Sequence, residues 1–346
     1  MSVILLAATL GACCRIPSTP ADVAVGNRPL WVIYLSGKRA TGHAAGVVEV
    51  NRQIAFGSND ELVVSSDSGP FTKPNTVHAW VLDAKHGSLI GETDWISNFW
   101  PYIFATAQGE YSVVTDKGLA LYSARLRQIK ATAADAADKI SPDGRFLAIS
   151  KTTPGHGIVL LLDSSTLKPT TAKFLDTYAF SVAEGRIAYS AFINGARNAS
   201  VIVQTVEKRL PHYQTGCREV RPHFVSAETL AVLGCSQVEV ISAGGEKLFS
   251  TPLGQALAYF VSASRDGRRF AVLQQFERPG DSPSLCRERV TVFDIARRKA
   301  VFVVDVTDLE GSSQGASSGA ALSPDGSRLA VRSGSVVRLF ALPDGA

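Results

Sequence analysis

Apolar and polar positions alternate along most of this chain in short runs, the period of strands that bury one face, and turn residues punctuate the runs at regular intervals. One unit recurs: an apolar residue, a Ser/Asp/Gly turn, then a second alternating run. Its clearest copies are ISPDGRFLAI from Ile140, LSPDGSRLAV from Leu322 and ASRDGRRFAV from Ala263. Weaker copies begin at Phe56 (FGSNDELVV), Phe104 (FATAQGEYSVV), Phe180 (FSVAEGRIAY) and Phe224 (FVSAETLAV). Asp-Gly supplies the positive φ of a tight hairpin, so each copy predicts two antiparallel strands.

A third strand follows every copy: VHAWVLD from Val77, GLALYSA from Gly118, IVLLLDS from Ile158, SVIVQTV from Ser200, QVEVISA from Gln237, RVTVFDI from Arg289 and VVRLFAL from Val336. A fourth comes after most of these, such as SLIGETDW from Ser88 or AVFVVDV from Ala300. Four strands in ~40 residues, repeated, is the pattern of a propeller blade. The seventh copy ends at Ala346 after its third strand, and residues 29–36 (PLWVIYLS) predict a spare strand ahead of the first blade. Pairing the two closes the ring and removes an exposed edge. The expected fold is an all-β, seven-bladed propeller of four-stranded antiparallel blades over residues 28–346; a two-domain β-sandwich fits so even a repeat poorly.

The SPDG turns and V-x-V-x-D strands resemble bacterial WD-like and YVTN-type propellers, Tol-system propeller domains among them, over residues 29–346. The phrase AWVLDAKHG at 79–87 is similar to a quinoprotein-type repeat. Such resemblances imply fold and leave function open, because propellers host binding, scaffolding and catalysis alike.

Residues 2–10 (SVILLAATL) are apolar but too short to span ~30 Å of hydrocarbon. They run into Leu10-Gly11-Ala12-Cys13, which resembles a bacterial lipobox and implies cleavage before a lipidated Cys13. Residues 1–12 are then the expected signal and 13–27 a flexible tether, which makes the protein exported and anchored at the periplasmic face or the cell surface. Cys217 and Cys235 lie symmetrically about the turn of the fifth hairpin and are expected to form a disulfide, which an exported protein retains.

The net charge of +4 comes from scattered residues, with no run of five Lys/Arg, so nucleic acid is not an expected partner. Connections between second and third strands, and those between blades, share one face of a propeller. Four of the former read as long: 65–76, 151–157, 191–199 and 274–287. With the interblade segment 94–101 they outline a candidate binding face carrying Trp95, Phe99, Trp100, His156, Arg197 and Arg278; for Trp95 and Trp100 the alternative is packing between blades.

Catalytic patterns are missing: there is no H-E-x-x-H, C-x-x-C or phosphate-binding G-x-x-x-x-G-K, and the six histidines (43, 78, 86, 156, 212, 223) never fall at ligand spacing. The G-x-S-x-G matches at 311–319 sit in a Ser/Gly-rich loop rather than at a strand-to-helix elbow. The leading expectation is a monomeric, non-enzymatic module without cofactor or metal that binds a protein or glycan. The alternatives are a metal-dependent propeller hydrolase or lactonase, with His156, Asp67 and Glu277 as candidate ligands, and a quinone-cofactor protein.

Overall fold

The computed structural model describes residues 18–26, 28–35, 54–67, 75–97, 102–132, 137–153, 156–175, 181–193, 195–277, 285–306 and 318–344. They form seven antiparallel four-stranded sheets, the blades of a propeller. Counting strands A to D outward from the axis, blade one is Ile54–Phe56, Glu61–Asp67, Asn75–Asp83 and Leu89–Ser97. Blade two is Ile103–Ala105, Tyr111–Thr115, Gly118–Tyr122 and Gln128–Thr132, and blade three Lys139–Ile140, Phe146–Thr153, His156–Asp163 and Pro169–Leu175. Blade four is Ser181–Ala183, Arg186–Ala191, Ser200–Thr205 and Tyr213–Gln214, and blade five Arg221–Ser226, Thr229–Gly234, Gln237–Ser242 and Lys247–Pro252. Blade six is Leu257–Ala263, Arg269–Glu277, Leu285–Asp294 and Lys299–Asp305; the chain returns to blade seven with Ser318–Leu322, Arg328–Ser333 and Val336–Ala341.

The missing D strand of blade seven is Trp31–Tyr34, antiparallel to Val336–Ala341 with Trp31 opposite Leu339 and Tyr34 opposite Val336. Backbone bonds from Leu30 to Leu339 (2.6 Å) and from Leu35 to Ser335 (2.8 Å) extend the pairing at both ends. Strand A of blade seven touches strand A of blade one, so the ring is closed. Upstream of the closing strand, Ala24–Val25 pairs in parallel with the outer strand of blade six, and Gly26 donates to Val303 (2.7 Å). Part of the stretch read as a tether therefore lies against the ring. A Cβ at Gly26 would sit 2.5 Å from the Phe302 ring, so only glycine allows that approach.

Each blade interface has its own apolar core, as twisted sheets facing one another require. The cluster that closes the ring joins Leu62, Val64, Trp80 and Leu82 of blade one to Ala321, Ala330, Val337 and Leu339 of blade seven. Trp31 and Ile33 of the closing strand pack against it, and the Trp31 indole N–H donates to Ala84 O at 3.1 Å. The quinoprotein-like phrase is accounted for here. Its Asp83-Ala-Lys-His-Gly87 is a C–D turn whose Gly87, at φ 76°, lies under Trp31.

The Ser-x-Asp-Gly turns that revealed the repeat are three copies of one hydrogen-bonded device. Gly144, Gly267 and Gly326 adopt φ of 74°, 69° and 67° and donate their N–H to Ser141, Ser264 and Ser323. The intervening carboxylates of Asp143, Asp266 and Asp325 accept from those serine hydroxyls and from the amides two residues on. The aspartates keep ordinary negative φ, so each is a type I turn followed by a left-handed glycine rather than a turn with two positive φ values.

Burial pushes the Asp163 and Asp325 carboxyls up, but hydrogen bonds from Ser165 and Thr166, and from Ser323 and Ser327, outweigh it and hold both below the usual value. Depressed carboxyls stabilise the fold above their unfolded value near 3.8, and that stabilisation is lost as pH falls through the native value. Asp163→Ala is expected to lower stability by about 1 kcal/mol at pH 7 and to match wild type at low pH; urea melts across that range check it, and a constant difference contradicts it.

Candidate functional site

The seven A strands wall a central cavity of about 410 Å³. Ile54, Phe56, Ile103, Phe104, Ile140, Phe260 and Leu322 give it an apolar lining, into which Asp138, Lys139, Arg221, His223 and Arg265 introduce charge and polarity. Antiparallel blades place all A–B and C–D turns on one face, the turn face. The B–C and interblade connections lie on the other, the loop face.

At the turn face, Arg265 crosses the opening. It lies in the A–B turn of blade six and donates its guanidinium to Gly57 O (2.9 Å) of blade one and to Thr106 O (2.6 Å) and Ala107 O (3.2 Å) of blade two. Its own amide donates to Pro324 O of blade seven (2.9 Å). One residue, through its side chain and its amide, thus ties four blades. Desolvation lowers the Arg265 pKa, and the nearest charge influences come from Tyr111 and Asp143. Its hydrogen bonds go to carbonyls rather than to a carboxylate, so it keeps a positive charge at the base of the cavity.

Toward the loop face, the Arg221 guanidinium stands over the Tyr259 ring, 5.6 Å from its centroid. Two residues along the same strand, His223 stacks on Phe260 (4.7 Å, 4° between planes), which continues through Phe270 to Phe293. Lys139 and Asp138 form an ion pair at 2.9 Å, and Ser150 also donates to Asp138.

The expected disulfide is present: Cys217 and Cys235 are bonded, with Cα atoms 5.7 Å apart. Its geometry is not that of a cross-strand pair. Arg221 opposes Leu233 in the ladder, a register that carried outward sets Glu219 against Cys235. Cys217 lies in the connection before blade five and reaches the two-residue B–C turn, where Cys235 and Ser236 have φ of 47° and 57°. The bond therefore braces the loop face beside Arg221.

The other sequence candidates have different fates. Trp95 is not on the loop face: it belongs to strand D of blade one, is 6% exposed and packs between blades one and two, 5.9 Å from the Tyr122 ring. The strand runs to Ser97, so the residues expected to begin the interblade segment are still in the sheet. Arg197 is exposed in the B–C connection of blade four. His156 opens strand C of blade three opposite Thr153, so the pairing leaves only two residues between the strands and that connection is not one of four long ones. Three longer B–C connections remain, in blades one, four and six. Cys13, Phe99, Trp100 and Arg278 lie outside the described residues, and Asp67, Glu277 and His156 stand on three different blades. Among the described residues no three His, Cys, Asp or Glu side chains converge as a metal site.

Sequence reasoning passed over two arrangements. His78, on strand C of blade one, turns Nδ1 to Asp94 and Nε2 to Glu92 (3.3 Å), with its ring edge-on to Trp80 at 4.3 Å. The alternation of strands put His78 near Asp94 only once the C–D register was known. Glu288 is buried at the junction of blades six and seven, accepting from Gln275 (2.8 Å) and Ser318; burial raises its pKa above the usual carboxylate range.

No protein-family model matches the chain, and no curated protein matches it in sequence. Its architecture is shared with solved structures. An uncharacterised protein from Listeria monocytogenes superposes with a TM-score of 0.52 at 11% identity, covering 89% of this chain and all of that one. TolB from Acinetobacter baumannii gives 0.40 at 13% identity over 82% of this chain and 80% of its own, and the Dos1 propeller 0.44 at 11% over 91% and 95%. The first likeness establishes a common propeller fold and carries nothing about activity.

Two substitutions test this construction. Cys217→Ser with Cys235→Ser reopens a separation of 18 residues and is expected to cost about 3 kcal/mol in denaturant unfolding. Arg265→Ala leaves three carbonyls in two turns without their donor and is expected to cost about 2–4 kcal/mol. An unchanged midpoint in either contradicts the role assigned to that residue.

Proposed function

We propose that this chain is an exported β-propeller, anchored through lipid on Cys13, that binds a protein or glycan partner on its loop face. The observation that carries the reading is the asymmetry of the two faces. On the turn face, described connections are short, internally hydrogen-bonded and tied across the channel by Arg265. On the other, three B–C connections exceed the minimal turn, the channel mouth presents Arg221 and Tyr259, and a disulfide braces the rim. Chain length in excess of what a strand connection needs is where binding residues accumulate.

The disulfide supports an oxidising compartment, since cytosolic thiols are kept reduced. No helix among the described residues is long and apolar enough to cross a membrane. Attachment by lipid at the N-terminus is compatible with a ring that begins at its closing strand.

Two measurements test the proposal. Cys13→Ser is expected to shift the protein from the membrane to the soluble fraction of its native cell; unchanged fractionation contradicts the anchor. A photo-crosslinking residue at Arg197, Lys117 or Arg218 of the loop face is expected to trap partner adducts in native membranes, whereas one at Lys85 or Arg298 of the turn face traps none. Equal yields from the two faces contradict the assignment.

A further inference from the structure

We propose that the central channel is a binding site for a small organic acid, held by its apolar or aromatic body between the A strands with its carboxylate on Arg221. The inference is separate from the macromolecular reading of the loop face and needs neither the partner nor the anchor.

The cavity volume of about 410 Å³ falls within the size of pockets that enclose small ligands, and its lining is mainly apolar with a few placed polar groups, as such sites are. Arg265 lies across its turn-face end. The carboxylate Asp138 is engaged by Lys139 and Ser150, so that pair adds no net charge. The two arginines in the lining are left to set the sign of the field, and both are positive. A cationic ligand is thereby disfavoured and an anion favoured.

The two arginines differ in what they have left to give. Arg265 has delivered its guanidinium to three carbonyls and is mostly buried. Arg221 is exposed to the cavity, stacked over Tyr259, and has no carboxylate partner among the described residues. A guanidinium held over an aromatic face keeps its N–H edge for a planar anion, and a carboxylate takes that edge in two parallel hydrogen bonds. Tyr259 supports the guanidinium, and His223, two residues along the strand from Arg221, stacks on Phe260. An apolar wall that includes Ile54, Ile103, Ile140 and Leu322 around a fixed cation suits a carboxylate on an aromatic or branched body better than a hydrophilic anion such as free phosphate. The disulfide four residues upstream of Arg221 holds this segment in place, which lowers the ordering cost of binding.

Isothermal titration of the full-length protein with naphthoate, and with neutral naphthamide of the same shape, tests the proposal. Naphthoate is expected to bind saturably and about tenfold or more tighter than the amide, the usual scale of a charge-assisted pair. Arg221→Gln is expected to erase that preference while leaving the amide affinity unchanged; Arg221→Lys is expected to restore part of it. Arg127→Gln, on the turn face, serves as the control and leaves both affinities as in wild type. Absence of saturable naphthoate binding up to millimolar concentration, equal affinity for acid and amide, or an undiminished preference in Arg221→Gln would each overturn it. A melting temperature within wild-type range for each variant separates a lost site from a lost fold.

Discussion

The pairing of Trp31–Tyr34 with Val336–Ala341 is the constraint on which the rest of this molecule depends. Each blade buries its faces against its neighbours, so a chain of seven has two incomplete faces unless its ends meet. Here the ends meet by sharing a sheet. The closing strand completes blade seven, and its Trp31 and Ile33 also cover the apolar cluster between blades seven and one. Without it, blade seven would lack its outer strand and the cluster of Leu62, Trp80 and Leu339 would lose the cover of Trp31 and Ile33. Closure is therefore the last piece of the core, outside a cavity that the A strands wall.

The two faces then divide their work. Ser-x-Asp-Gly turns on one side are built from local hydrogen bonds that leave no length to spare, and Arg265 draws four of the blades together at the centre of that face. Because its donors go to backbone carbonyls, the lock does not depend on which side chains occupy the neighbouring turns. The opposite face keeps the longer connections, the channel mouth and the disulfide. Rigidity at one end and elaboration at the other is the arrangement in which a scaffold carries binding residues.

Much of this architecture was legible in the sequence because it rests on period and turn chemistry. Seven copies of a hairpin signal, a spare strand before the first and a strand missing from the last determine the ring without knowledge of any contact. The pairing of Cys217 with Cys235 followed from proximity to one hairpin, although the bond joins a loop to a turn rather than two strand positions. Of the two readings the sequence left for Trp95, packing between blades holds: strand D of blade one runs to Ser97, four residues into the segment read as interblade, and alternation directs the ring into the blade interface. Lys151–Gly157 read as a long loop because its polar residues hide a ladder that pairs up to Thr153 and His156. Arg265 and Arg221 could not have been singled out at all. The reach of one across the ring and the stacking of the other on Tyr259 depend on which A strands face each other, a property of the closed ring and not of any local segment.

Hydrogen exchange read by mass spectrometry on peptides spanning residues 30–35 tests the central claim most directly. If the N-terminal strand closes the ring, its ladder-bonded amides, every second one in this outer strand, exchange only through global unfolding and are protected as strongly as those of Arg328–Ser333 in the same blade. Protection of those amides far below that of blade seven, at the level of a fraying terminus, would contradict closure.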